Sequence, residues 1–390
     1  MPHYFGEIHL PSRVGDYFRR RIFVEKKPGH ITVIGAGHGG KAMAAEMASR
    51  GFMVTLYNRS SERLEVIALR GGVELRTEEG REIFATLHVV TSDPEEAVKD
   101  ADLIMVAIPA SGHYDVGVTF APYLQDHQVV VLNPGRTGGA LEFRSALDQG
   151  GCTCRPIICE AETFLFAARS LGPAESQIFR TKYSVPVAAF PATRTKAALD
   201  VLHPVYPQFI PAKNVLHTSL NNMGAIFHPA LSLLNAGWIE ATQGDFEFYM
   251  DGVTPATARV LMALDRERVT VAAAIGVRAQ TAVEWLDRAY AATGENLHEA
   301  MHANIGYKGI KAPNRLQHRY IFEDVPCSLV PVALIGQQYG VETATIHAMI
   351  SLANIVHGTD YLHKGRTLDK LGIRGLSVSE LHRYVETGER

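Results

Sequence analysis

Cysteine is scarce in this chain: four among 390 residues, at Cys152, Cys154, Cys159 and Cys327. So few thiols exclude a disulfide framework. Three fall in GCTCRPIICE, but the fourth is remote and no histidine lies close by. Small buried residues on a strand are therefore expected there, and no metal. Net charge is also nearly absent. Lys+Arg is 38 and Asp+Glu is 41, a balance of −3. Such a surface has no general attraction for nucleic acid or an anionic membrane. No uncharged apolar run approaches the length of a bilayer span. Residues 1–29 carry an Arg19–Arg21 cluster without a signal-type apolar core, and read as an extension. A cytoplasmic location is expected. Internal repeats and low-complexity tracts are missing as well. The hydrophobic fraction, 46%, is that of ordinary globular cores, and 390 residues suggest two domains.

What the chain does have is glycine at one informative place. From Ile31 an apolar run enters a turn with Gly35, Gly37 and Gly40 in G-x-G-x-x-G spacing, with His38 and Gly39 between them. A small-residue helix follows, then a second strand, Met53 to Tyr57. This β-α-β context makes the triplet a dinucleotide-binding signal. The first glycine permits the tight turn, the second lets backbone approach a pyrophosphate, and the third lets helix and strand pack closely. The helix then presents free N–H groups and its positive end to the phosphates. The second strand ends in Asn58, Arg59 and Ser60, with no acid before Glu62. A carboxylate there would suit the ribose hydroxyl of NAD, whereas an arginine suits the 2′-phosphate of NADP. Arg59 favours NADP, with NAD left possible.

Further along, residues 62–70 read as helix, Gly71–Val90 as a hairpin and ADLIMVAIP as a buried strand. Val129–Leu132 is a strand opening on a loop, NPGRTGG, where Thr137 is expected to cap the next helix. The strand ends at Ile108-Pro109 and at Pro134 should lie at the carboxyl edge of a parallel sheet, where ligands collect. Two more strands, in RPIICEAE and SVPVAAFP, precede Pro211. Beyond it the apolar period becomes helical, starting with a Pro229-bearing helix over Ser219–Glu240. Thr254-Pro255 and Ser377-x-x-Glu380 are helix starts. The expected fold is α/β: an N-terminal Rossmann-type doubly wound sheet over 30–211, then an all-helical domain over 212–390.

In that second half SLNNMGAIFHP stands out. Pro229 inside a helix frees the carbonyl of Ala225 and is expected to expose His228, with Asn221 and Asn222 about two turns earlier. A second segment, RYIFEDVP, holds Arg319, Glu323 and Asp324. Asp324 is placed to cap the following helix, and Arg319 to pair with Glu323.

Together the glycine turn, SLNNMGAIFHP and RYIFEDVP resemble the opine dehydrogenases, the octopine and nopaline dehydrogenase family, from Ile31 to the C-terminus. The resemblance implies reductive condensation of an amino acid with a 2-oxo acid, using NAD(P)H. It implies catalytic His228 and Asp324 as a pair, and Arg319 gripping a substrate carboxylate. Asn221 or Asn222 would steady the carbonyl oxygen, and a homo-oligomer, typically a dimer, is expected by analogy. Phe164, Leu165 and Phe166 suggest an amino partner that is not strongly cationic, although Glu160 and Glu162 lie nearby. The alternatives are a ketopantoate-reductase-like or 2-hydroxy acid dehydrogenase, which would lean on a lysine, and a non-catalytic NADP-binding sensor.

Overall fold

The computed structural model describes residues 28–390; the extension expected at the N-terminus falls almost wholly outside them. Among the described residues, twelve strands build two sheets. In chain order they are β1 (His30–Ile34), β2 (Met53–Tyr57), β3 (Gly72–Arg76), β4 (Glu82–Thr86), β5 (Val89–Thr91), β6 (Leu103–Val106), β7 (Val129–Leu132), β8 (Ile157–Ala161), β9 (Phe166–Gly172), β10 (Glu175–Thr181), β11 (Val185–Phe190) and β12 (Phe209–Pro211). The main sheet runs β12-β11-β8-β7-β6-β1-β2-β5, with β11 antiparallel to β8 and the pairs from β8 to β5 parallel. Its central strands are apolar along their whole length because both faces are covered.

Strand order reverses between β1 and β6, and a crevice for ligands forms at such a switch point. The register aligns Ile34 with Val106, Val106 with Leu132 and Leu132 with Glu160. Hence the turns after β1, β6, β7 and β8 emerge along one edge. The second sheet, β4-β3-β10-β9, packs with the helix His38–Ser49 over one face of the main sheet. The other face shares a continuous core with the helices that follow β12.

Several expectations need correction. The hairpin is β3–β4 alone, and Val89–Thr91 joins the main sheet beside β2. Thr137 is no cap: Gly138 holds that position in a left-handed conformation, and the Thr137 hydroxyl donates to the Ser219 carbonyl. The expected helix over Ser219–Glu240 is three pieces, Val215–Leu220, Gly224–Leu234 and Ala236–Thr242. Asn221 and Asn222 lie in the first break, where Asn222 donates to the Glu162 carbonyl and Asn221 accepts from the Gln280 N–H. Thr254 and Ser377 do cap their helices, the latter in a full capping box. No described helix is long and apolar enough to cross a membrane.

Candidate active site

The glycine turn lies at the crevice. Gly35 has φ +115°, and Ala107 and Ile108 pack where its side chain would be. A side chain on Gly40 would strike the Gly35 carbonyl, whereas the space beside Gly37 is open. That is the cradle a pyrophosphate requires, so the residues fit a dinucleotide. The Asn58 side chain buttresses the turn, accepting from the Ala36 N–H at 3.1 Å and donating to the Ser60 carbonyl at 3.0 Å. His38 accepts from the Ser170 N–H through Nδ1, at 3.1 Å. Gly39 faces the Phe164 ring, which stands 2.5 Å from where a Cβ would be. Arg59 is exposed, with Asp115 at 3.9 Å, while the Ser60 hydroxyl turns to Glu62. Pro109 starts the turn after β6, its carbonyl accepting from Gly112 at 2.9 Å.

Phe164, which faces Gly39, also lines a cleft of about 260 Å³, together with Pro134, Asn221, Asn222, His228 and Arg319 among others. His228 lies in the helix Gly224–Leu234, one residue before Pro229. Its Nδ1 is 2.8 Å from Asp324 Oδ2, and its Nε2 is 3.1 Å from the Tyr249 hydroxyl. Tyr320 stacks on the imidazole at 4.1 Å between ring centroids. Burial holds the imidazole below its ordinary pKa despite the opposing pull of Asp324. Burial acts to raise the Asp324 carboxyl, but Arg136 and the histidine outweigh it and hold the group below its usual range. Asp324 therefore serves neither as a helix cap nor as a solvated acid; it is fully buried.

Arg136, in the loop after β7, was not singled out from the sequence, and it organises this centre. Its Nε is 3.1 Å from Glu323 Oε1, its Nη1 is 2.8 Å from Asp324 Oδ1, and the same Nη1 donates to Asn222 Oδ1 at 3.1 Å. Glu323 thus pairs with Arg136 and not, as expected, with Arg319. The backbone of Arg136 stands at φ +61°, a left-handed conformation that costs an ordinary residue about 1–2 kcal/mol. The buried carboxylates hold it there. Arg319 lines the cleft and forms no ion pair among the described residues. Asn222 is committed to Arg136 and to the Glu162 carbonyl, and Asn221 to Gln280 N–H and His217 carbonyl. Each amide nitrogen keeps a second N–H beyond these bonds, and both residues line the cleft.

Two further groups escaped the sequence reading. Arg366 is buried, bonded to Glu142 at 2.6 Å and to the carbonyls of Gly135 and Thr137 at 2.7 and 3.1 Å. It also reaches the Ala110 carbonyl, so one C-terminal side chain fastens the loops after β6 and β7. Lys182 lines the cleft, donating to Thr163 Oγ1 at 2.8 Å and the Phe164 carbonyl at 2.7 Å; burial pulls its pKa down to about 8. Glu162 faces the same space, with Arg288 at 3.6 Å, and burial pushes its carboxyl up to about 7. Glu160 is different. It is sealed behind the cleft by Thr218, Ser219 and the Ala140 N–H, and holds structure rather than ligand.

A switch-point glycine cradle beside a cleft with a histidine–carboxylate pair defines a two-domain nicotinamide-dependent dehydrogenase. Comparison with known proteins narrows the class. The family profile described as NAD/NADP octopine/nopaline dehydrogenase, alpha-helical domain, matches residues 211–357. A profile for the N-terminus of NAD-dependent glycerol-3-phosphate dehydrogenase matches residues 30–135. An opine dehydrogenase of Arthrobacter sp. (strain 1C) is 36% identical over 356 residues, covering 91% of this chain and 98% of its own. Octopine dehydrogenase solved with NADH and agmatine superposes with a TM-score of 0.76 at 22% identity, over 93% of this chain and 98% of its own. Yersinopine dehydrogenase with NADP+ bound gives 0.70 at 17% identity, over 93% and 99%. The chain belongs to the opine dehydrogenase family, NAD(P)H-dependent oxidoreductases that condense an amino acid with a 2-oxo acid and reduce the imine.

Proposed function

We propose that His228, held by Asp324, carries the proton transfers of this condensation. The observation behind it is the 2.8 Å contact between Nδ1 and the buried carboxylate at the cleft wall. A carboxylate accepting from Nδ1–H fixes the proton there and leaves the Nε2 lone pair for chemistry. As the substrate amine attacks the oxo carbon, Nε2 takes the proton it sheds. The imidazolium passes that proton to the new alkoxide; a second proton, taken up from solvent through the same imidazole, then protonates the hydroxyl, which leaves as water as the iminium forms, and Asp324 stabilises the cation meanwhile. Nicotinamide, when bound, supplies the hydride that turns the imine into a secondary amine. Arg319, without an acid partner, grips a substrate carboxylate through two parallel hydrogen bonds. The division of labour follows the chain: residues 30–211 hold the cofactor and 212–390 supply the acid–base pair.

The walls indicate the amino partner. Phe164, Phe166, Phe227, Trp285, Tyr290 and Tyr307 line the cleft, and the acid that opens on it, Glu162, has Arg288 beside it. An amino acid with an apolar or aromatic side chain fits better than a cationic one. Screening cofactor oxidation over amino acids paired with pyruvate, 2-oxoglutarate and glyoxylate tests this. Apolar amino acids should outrun arginine, and each substrate alone should be inert. Oxidation with the oxo acid alone would favour the hydroxy acid dehydrogenase reading, for which Lys182 provides a cleft lysine.

For the cofactor we propose NADP, on the strength of the exposed Arg59 guanidinium at the end of β2. Glu62, beside Ser60, is the feature that would instead suit an unphosphorylated ribose. Arg59→Ala should raise the KM for NADPH about tenfold, the value of one charged hydrogen bond, and leave that for NADH nearly unchanged. Equal loss for both would sink the assignment.

A further inference from the structure

A second concavity, about 530 Å³ and larger than the catalytic cleft, lies elsewhere on the molecule. Arg144, Asp148, Arg155, Arg194, Tyr384 and Arg390 line it. Arg155 precedes β8, whose other end carries Glu162 into the cleft, and Phe190 pairs with Ile158 across the antiparallel β11. The concavity therefore opens at the opposite edge of the sheet, about 16 Å of strand away from the cleft. No part of the proposed chemistry reaches it.

Its charge is uneven. Arg144 and Arg155 share a single lining carboxylate, Asp148, at 3.2 Å through Arg144 Nε and 3.5 Å through Arg155 Nη1. Asp126 accepts from the Arg155 backbone N–H at 2.6 Å and does not meet its guanidinium. Arg194 spends Nη1 on the carbonyls of Arg155 and Pro156, at 2.5 and 3.3 Å, which leaves its Nε and Nη2 edge for another acceptor. Three guanidinium groups thus face one carboxylate, without counting Arg390, which lies over the Tyr384 ring. Arg144 is itself nine-tenths buried. Beside these cations, Phe190 and Tyr384 meet edge to face at 4.9 Å and make an apolar floor. Guanidinium groups recognise phosphate oxygens in pairs, and the apolar floor beside them suits the carbon part of the same molecule.

We propose that this concavity binds a small organic phosphate, its phosphate held by the arginines, between the nucleotide-binding sheet and the helix Val378–Thr387, and AMP serves as the probe. The test uses the full chain saturated with NADPH, so that the glycine cradle is filled, and titrates AMP by calorimetry. Binding with Kd below about 1 mM is expected, weakened about tenfold or more in Arg155→Glu and in Arg194→Gln. Both variants should keep the kcat and KM of the parent, which shows that they fold. Absence of AMP binding, or equal binding in parent and variants, would overturn the site. Citrate binding more tightly than AMP, with the same sensitivity to Arg155, would overturn the phosphate class. Loss of activity by His228 variants leaves this outcome untouched.

Discussion

His228→Ala is expected to lower kcat for the condensation by about 10²–10⁴-fold, the range for removing a positioned general acid–base. Cofactor affinity should stay within about twofold, since the glycine turn lies on a different element and His228 makes no contact with it. The split matters because a merely structural histidine would lose both together. Some activity should survive, because the Tyr249 hydroxyl stands 3.1 Å from the vacated Nε2 position. Turnover near the parent rate would remove the acid–base assignment. The pH profile gives an independent reading. Burial lowers the histidine's pKa, so the folded state favours neutral imidazole. Its contribution to stability is present above about 6.5 and is lost as pH falls. The acid limb of kcat/KM should have its midpoint below that value. Asp324→Asn removes a group that raises the histidine pKa, and should push the limb lower still while kcat drops. A limb that moved upward would contradict the geometry.

How much of this could be read from residues alone depended on how local each signal was. The glycine turn is local: strand, turn and helix are consecutive, and only glycine fits at Gly35 and Gly40. His228 and Asp324 are 96 residues apart, yet each sits in a distinctive short motif that carried the resemblance. Arg136 had no such mark. An arginine in NPGRTGG looks solvated, and its burial comes from carboxylates 187 residues later. Arg366 is the same case, its partners in the loop after β7 being 229 and 231 residues earlier. Strands β9 and β10 left little signal: burial alternates along β9, but apolar and polar residues are mixed on both of its faces, and Gly172-Pro173 reads as loop. Two acids at the end of β8, one inside the strand and one just after it, show the limit from the other side. Glu160 and Glu162 are equivalent in sequence, and only packing shows that one is sealed by hydroxyls while the other faces the cleft.

Arg136→Met should cost about 3–5 kcal/mol of stability at neutral pH, because it leaves buried carboxylates without their cation. Glu323 and Asp324 are both buried, and Glu323 Oε2 already has no hydrogen-bond partner. Urea unfolding at pH 7 and at pH 5 tests the electrostatic cause. In the parent, Asp324 has a lowered pKa, so its contribution exists above about 4 and disappears as pH falls. Without Arg136, burial, which is the largest influence on this carboxyl, raises it, and the sign reverses. The charged form then opposes folding at neutral pH, and protonation relieves it. The gap between variant and parent should therefore shrink on acidification; a gap independent of pH would point to lost packing instead. Adding Glu323→Gln and Asp324→Asn to Arg136→Met should recover most of the stability, since removing both partners of a buried pair is often close to neutral. Activity should not return with it. The triple variant folds without a carboxylate to fix the His228 proton at Nδ1, so recovered stability with lost turnover would separate what the cluster does for the fold from what it does for the chemistry.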